Sequence, residues 1–177
     1  MEEHYIVQVQ SQGLVDDLKA VFTHAGLAGE AAEYKLLTQS FLYKFLNDKF
    51  LYEAQNIDES YDYQGLLNLS EEDYDWFLDD IGTKTAHLKP EQLIESLHRQ
   101  QNQADFAEIF EQTLNQIAID NNAIFSVHTD GGTDIRLFDQ RLITDTISDT
   151  SKRNEVAASI INLLARVKFD QQIFSQG

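Results

Sequence analysis

The sequence predicts a mainly α-helical fold: a helical bundle with a central buried helix and, as a candidate addition, one small β-hairpin. Three observations predict it. A 22-residue stretch, Ala31–Tyr52, contains no glycine or proline and is apolar at helical spacing. The whole chain of 177 residues has a single proline, Pro90. Hydrophobic residues make up 42% of the chain, which is enough for one sizeable core, so residues 1–177 are treated as one domain.

The N-terminal region contains one ambiguous and one clear segment. Residues 5–9 are a short alternating patch that fits either a small strand or the lead-in to a helix. A helix is predicted from Gly13 to Thr23, because Leu14, Leu18, Val21 and Phe22 fall on one face. Gly26 and Gly29 are predicted to end this helix, since glycine is the usual residue after a helix terminus.

The segment Ala31–Tyr52 is the strongest helix prediction in the chain. Its apolar residues cover one broad face and extend around much of the circumference. Only a narrow strip near Ser40, Lys44 and Asn47 is expected to stay polar. A helix that is apolar nearly all round is buried on several sides, so this segment is predicted to be the central helix.

Residues 53–80 form an acidic stretch interleaved with aromatic residues. The stretch contains ten Asp or Glu and no Lys or Arg. Ser70, followed by three acidic residues, predicts a helix start, and Gly82 predicts the end of that helix. The stretch is either a solvated face whose aromatic side chains point into the core, or a contact surface for a basic partner.

The second half of the chain predicts two further helical regions. A long one begins at Pro90 and is interrupted near residues 100–103. Asp105 and Glu108 fit a capping box that restarts a helix running to Ile117.

The remaining segments predict a hairpin and a last helix. Residues 124–138 place Asp130-Gly131-Gly132 between two β-prone runs, which indicates a β-hairpin. The final helix is predicted from Ser151 to Phe169.

Composition excludes several functional classes. The chain has no cysteine, so disulfides, thiolate metal sites and cysteine nucleophiles are absent. Its formal charge of −17 argues against a broad phosphate-binding surface. The five histidines are scattered and show no metal-binding spacing. We therefore expect no catalytic, cofactor-binding or metal-binding residue in this chain. The absence of a signal-peptide pattern or an apolar span predicts a cytoplasmic protein.

The basic residues are distributed unevenly. Residues 101–177 carry 6 Lys or Arg against 11 acidic residues, whereas residues 1–100 carry 7 against 19. The later region is thus the less acidic one. If any residues contact DNA or a partner through positive charge, the candidates are Arg136, Arg141, Lys152, Arg153, Arg166 and Lys168.

One segment resembles a known family. Residues 33–50 read Glu-Tyr-Lys-Leu-Leu-Thr-Gln-Ser-Phe-Leu-Tyr-Lys-Phe-Leu-Asn-Asp-Lys-Phe. This segment resembles the N-terminal helical domain of the modification (M) subunit of type I restriction–modification DNA (adenine-N6) methyltransferases. Asn47 stands where the family usually has a small polar residue. Residues 14–52 fit well and the rest loosely, and residues 167–170 resemble the junction with the catalytic domain.

The resemblance implies a non-catalytic role for this chain. The family transfers a methyl group from S-adenosylmethionine through an Asn/Asp-Pro-Pro-Tyr/Phe motif, and a chain with one proline cannot contain that motif. We expect an N-terminal piece that lacks the catalytic domain, so that S-adenosylmethionine would bind elsewhere in the subunit. Such a domain would assist DNA clamping and assembly with the specificity (S) subunit. The implied partners are the S and restriction (R) subunits and double-stranded DNA, with no membrane.

Two other functional classes stay open from the sequence. The acidic charge and the stretch 53–80 fit a stand-alone protein that mimics DNA and inhibits nucleic-acid enzymes. The helical pattern also fits a protein-interaction module unrelated to methylation.

Overall fold

A computed structural model describes residues 2–123, 138–169 and 174, with side chains from residue 11 onward. Within these residues the protein is mainly helical and contains no strand. The described part has seven α-helices: α1 (Glu2–His24), α2 (Ala31–Ile57), α3 (Tyr63–Leu67), α4 (Glu71–Ile81), α5 (Ile94–Arg99), α6 (Phe106–Asp120) and α7 (Thr150–Arg166).

The first helix starts earlier than predicted. Helix α1 begins at Glu2 and runs through Gly13, so the prediction of a start at Gly13 was wrong and the ambiguous residues 5–9 are helical. A glycine costs only about 0.5–1 kcal/mol in a helix interior relative to alanine, which does not end a helix by itself. Gly26 and Gly29 follow the helix with φ of +82° and +78°, the left-handed conformation expected of glycine after a helix.

Helix α2 begins at Ala31 as predicted and ends at Ile57, five residues beyond the predicted Tyr52. Its polar strip was predicted wrongly. Ser40, Lys44 and Asn47 are buried, whereas the aromatic Tyr34 is 70% exposed. The fully buried seam consists of residues spaced alternately by four and three: Leu36, Ser40, Tyr43, Asn47, Phe50 and Ala54. The more apolar opposite face is only partly covered.

The acidic stretch contains one predicted and one unpredicted helix. Helix α4 begins after Ser70, whose Oγ accepts a hydrogen bond from the Asp73 amide at 3.1 Å, and ends at Gly82 with φ of +61°. This start and end confirm the sequence prediction. Helix α3 was not predicted, and it is only five residues long. The Asp62 side chain caps it by accepting from the Gly65 amide at 2.9 Å.

The long helix predicted from Pro90 is replaced by two short elements. Residues 90–92 form a single 3-10 turn, Leu93 is extended, and α5 then spans only six residues. The Gln92 side chain closes the turn by accepting from the Lys89 amide at 2.9 Å. The extended backbone of Leu93 ends the turn, and the Gln92 carbonyl accepts a hydrogen bond from Tyr43 on α2.

Helix α6 starts at Phe106 as expected, but the predicted capping box of Asp105 and Glu108 was wrong. The Asp105 side chain makes no capping hydrogen bond. The free amide of Ala107 instead donates to Asn154 Oδ1 on α7 at 2.9 Å. A side chain from a distant helix thus supplies the acceptor that a local cap would otherwise provide.

Helix α7 packs against α1, α5 and α6 and, more narrowly, against α2. Its core face contains Val156, Ile160, Leu163 and Leu164, which are buried, while Val167 just after the helix is partly buried. The helix ends at Arg166 rather than at the predicted Phe169, and residues 167–169 are not helical.

The predicted β-hairpin lies outside the described residues except for Phe138, which is buried in a bend. No helix in the described ranges is both long and apolar enough to cross a membrane.

Candidate functional site

A buried ion pair lies on α2 within the segment that carries the family resemblance. Lys44 Nζ is 3.0 Å from Asp48 Oδ2, with side-chain exposures of 5% and 15%. Phe169 places its ring 5.6 Å from the same ammonium group. Burial lowers the pKa of Lys44, the nearby charge of Lys168 lowers it further, and Asp48 opposes both effects. The pair is therefore largely withdrawn from solvent, with Lys44 buried and Asp48 partly exposed.

Two neighbouring side chains of α2 hold the turn that precedes α5. The Tyr43 hydroxyl donates to the Gln92 carbonyl at 2.5 Å, and Asn47 Oδ1 accepts from the Ile94 amide at 2.9 Å. Burial raises the pKa of Tyr43 well above its ordinary value. The Asn47 amide group also donates to Asp48 Oδ1 at 2.9 Å. Asn47 thus connects the ion pair to the first backbone amide of α5.

Two phenylalanines that follow α7 in the sequence, Phe169 and Phe174, lie against the outer face of α2. Phe169 contacts Phe41 with ring centroids 5.7 Å apart. Phe174 lies 5.5 Å from Phe45 and 5.6 Å from Tyr52, again between ring centroids. Both phenylalanines are buried, at 7% and 6% exposure. The outer face of α2 therefore anchors the part of the chain that leaves the last helix.

A groove of about 620 Å³ lies beside the ion pair, between α2, α5, the end of α7 and the segment after it. Its polar lining brings together opposite charges: Lys44, Asp48, Glu95 and Lys168. Aromatic side chains of Tyr52 and Phe174 complete the wall. The sequence prediction included only Lys168. A count of the four-and-three spacing through Ser40, Tyr43 and Asn47 would have placed the polar residues of α2 in the interior.

The basic residues predicted as contacts do not form one patch. Arg136 lies outside the described residues. Arg153 forms hydrogen bonds within the protein, since its guanidinium donates to the carbonyls of Ile147 and Thr144. Arg141 is exposed and pairs with Asp145 at 3.1 Å.

The other three basic candidates lie on or just after α7. Lys152 is exposed in the first turn of the helix, whereas Arg166 and Lys168 are exposed at its far end. Fourteen residues of helix separate Lys152 from Arg166, a distance of about 21 Å at 1.5 Å per residue. These three candidates are therefore split between the two ends of α7.

The aromatic residues of the acidic stretch mostly follow the first interpretation, a solvated face with aromatic side chains turned inward. Tyr63, Tyr74 and Phe77 are buried, as expected of a solvated face with aromatic residues turned inward. Trp76 is the exception, with 64% of its surface exposed.

Neither a search for metal-binding side chains nor comparisons with known proteins assign a function to this chain. Among the described residues, no three His, Asp or Glu side chains come together in a way that could hold a metal ion. Comparisons with protein-family models, with curated proteins and with solved structures gave no match for this chain.

Proposed function

We propose that this chain is the N-terminal helical domain of the M subunit of a type I restriction–modification DNA adenine-N6 methyltransferase, and that its role is assembly. The observation that carries the proposal is that residues 33–50, the segment that resembles the family, hold other parts of the fold in place through buried contacts. Tyr43 and Asn47 hold the turn before α5, and Lys44 lies under Phe169 of the segment that follows α7. These residues organise the fold around α2, which is the work expected of a scaffold.

The internal use of these polar groups also argues for a non-catalytic domain. Lys44 and Asp48 neutralise each other, and Asn47 uses both ends of its amide in internal hydrogen bonds. On this proposal S-adenosylmethionine and the adenine pocket belong to a catalytic domain elsewhere in a cytoplasmic M subunit. The segment carrying Phe169 and Phe174 would lie at the junction with that domain, held against α2.

Charge placement favours protein contacts over a broad DNA contact. The net charge is −17, Arg141 is exposed but paired with Asp145, and the other exposed basic candidates lie at the two ends of α7. Phosphate contacts require clustered cations, so this domain would touch DNA at one edge at most. The remaining surface would serve contacts with the catalytic domain and the S subunit.

The proposal is tested first by the coding sequence that follows Gly177. A reading frame that continues into an Asn-Pro-Pro-Tyr or Asn-Pro-Pro-Phe motif supports it, and a frame that stops at Gly177 contradicts it. A second test mixes the 177-residue chain with labelled S-adenosylmethionine in equilibrium dialysis. We expect no retained label with the chain alone and retained label with the longer product. Binding by the short chain would overturn the assignment.

A third test addresses assembly directly. The product of the full reading frame is co-expressed with the S subunit encoded beside it, and the complex is isolated by size exclusion. A version beginning after residue 177 is the matched control. We expect the control to retain label and to lose co-elution with the S subunit or tight DNA binding. Unchanged assembly and DNA binding without residues 1–177 would contradict the role proposed here.

A further inference from the structure

Trp76 is an exposed anchor on a helix that is otherwise fixed firmly to the core. It is the only tryptophan in the chain and is 64% exposed. Its neighbours on α4, Tyr74 and Phe77, are 8% and 2% exposed, and the Tyr74 hydroxyl donates to the Leu88 carbonyl. The helix therefore cannot turn to bury Trp76 without losing these contacts. Tryptophan side chains are mostly buried in folded proteins, and they are enriched at the centre of protein interfaces.

Four carboxylates surround this tryptophan along the helix. Glu72 and Asp73 precede it by four and three residues, and Asp79 and Asp80 follow it by three and four, so all four lie next to it on the helix surface. All four are exposed. None of them forms an ion pair with any residue that the structure describes. The surface thus combines a large aromatic ring with uncompensated negative charge.

Part of this charge works against the stability of α4. Asp79 and Asp80 lie in the last turn, where the helix dipole presents its negative end. Each acidic residue in such a position costs about 0.3–1 kcal/mol at low salt. The fold gains no hydrogen bond or ion pair from either side chain among the described residues. The stability of the fold therefore gives no reason for Asp79 and Asp80 to be acidic. Binding of a cationic group beside them would give one.

We propose that the Trp76 surface, defined as Glu72, Asp73, Trp76, Asp79 and Asp80, docks an arginine- or lysine-rich segment of a partner protein. The indole face would cover a guanidinium or ammonium group, and the four carboxylates would pair with flanking cations. Nucleic acid and anionic membranes carry the same sign of charge as this surface and are repelled. A second copy of the chain brings another net charge of −17 and is disfavoured for the same reason.

The single tryptophan allows a direct test with the 177-residue chain. Its fluorescence is titrated with a hexa-arginine peptide, with a hexa-glutamate peptide as the control. We expect hexa-arginine to change the Trp76 emission in a saturable way that weakens as salt is raised. Hexa-glutamate is expected to have no effect. Absence of a saturable change with hexa-arginine would overturn the proposal.

Matched variants separate a local surface from general attraction to an acidic protein. Asp79→Asn with Asp80→Asn removes two charges beside Trp76, and Asp16→Asn with Asp17→Asn removes two exposed charges on α1. We expect the first pair to weaken hexa-arginine binding about fivefold or more, and the second by less than about twofold. Equal effects of the two pairs would show nonspecific attraction and overturn the proposal.

The aromatic contribution is measured by calorimetry, since the Trp76 variant has no tryptophan emission to follow. Trp76→Ala is compared with the parent chain, and circular dichroism confirms that α4 remains folded. We expect about threefold or greater weakening of hexa-arginine binding, the size of an exposed cation–π contact. Unchanged affinity would overturn the role of Trp76. These outcomes are independent of the proposed methyltransferase assignment, because they concern the isolated chain and a peptide probe.

Discussion

Removing Asp48 is expected to destabilise the protein more than removing its partner Lys44. The two side chains form one buried ion pair at 3.0 Å. In Asp48→Ala the ammonium group stays inside with only the Phe169 ring, 5.6 Å away, as a nearby favourable contact. In Lys44→Met the carboxylate keeps the hydrogen bond from the Asn47 amide at 2.9 Å and is partly exposed. The two single variants therefore leave different charges behind.

The magnitude follows from the geometry. At 3.0 Å and an effective dielectric constant of about 20, the attraction is about 5 kcal/mol. Burying both charges offsets most of that gain, but removing one partner leaves the other uncompensated and typically costs 3–5 kcal/mol. We expect about 3 kcal/mol for Asp48→Ala, since Lys44 can partly reach solvent along the groove. Lys44→Met should cost about 1.5 kcal/mol.

The assay is urea unfolding followed by circular dichroism, with the free energy of unfolding obtained by linear extrapolation. The double variant Lys44→Met with Asp48→Leu is the matched control, expected to lie within about 1 kcal/mol of the parent because no charge remains buried. Equal losses from the two single variants, or losses below about 0.5 kcal/mol, would refute the reasoning.

Three further predictions concern other buried polar groups. Glu111→Gln replaces a carboxylate that accepts three hydrogen bonds from residues 143–144, and should cost about 2 kcal/mol in urea unfolding. Burial and a nearby glutamate raise the pKa of Tyr74 above 10.0, so above that pH the unfolded chain ionises first and stability falls. Tyr74→Phe should flatten this alkaline fall in stability, measured by unfolding between about pH 9 and 11, at a cost of about 1 kcal/mol at neutral pH. Ser40→Ala removes a buried hydroxyl with no hydrogen-bond partner among the described residues, so its free energy of unfolding should be unchanged or higher by up to about 1 kcal/mol.

Local signals in the sequence predicted the helix ends where local contacts decide them. The Ser70 cap, the start of α2 at Ala31 and the turn glycines all follow from hydrogen bonds or backbone angles within a few residues. The sequence could not predict the short elements between Pro90 and Arg99, because their geometry depends on Tyr43 and Asn47 from a distant helix. The failed cap at Asp105 has the same cause, since Asn154 takes its place.

The polar residues of α2 show why the candidate site was only partly predicted. Hydrophobicity assigned Ser40, Lys44 and Asn47 to solvent, but Ser40 and Asn47 fit the buried spacing of the helix and Lys44 is buried beside it. The interior accepts Lys44 because Asp48 neutralises it one turn later, and it accepts Asn47 because a peptide amide needs an acceptor. Among the six basic residues, charge alone could not separate Arg153, which binds two carbonyls, from the exposed ones.

The hydrogen bonds from Tyr43 and Asn47 fix how α2 is seated in the bundle. A helix coated largely with interchangeable aromatic and aliphatic side chains could rotate or slide by a turn with little change in buried apolar area. Any such slip would leave the Ile94 amide and the Gln92 carbonyl unpaired in a dry environment, at about 1–3 kcal/mol each. These two bonds thus select one alignment of α2 among several that would bury a similar apolar area. A single buried asparagine has the same effect in coiled coils.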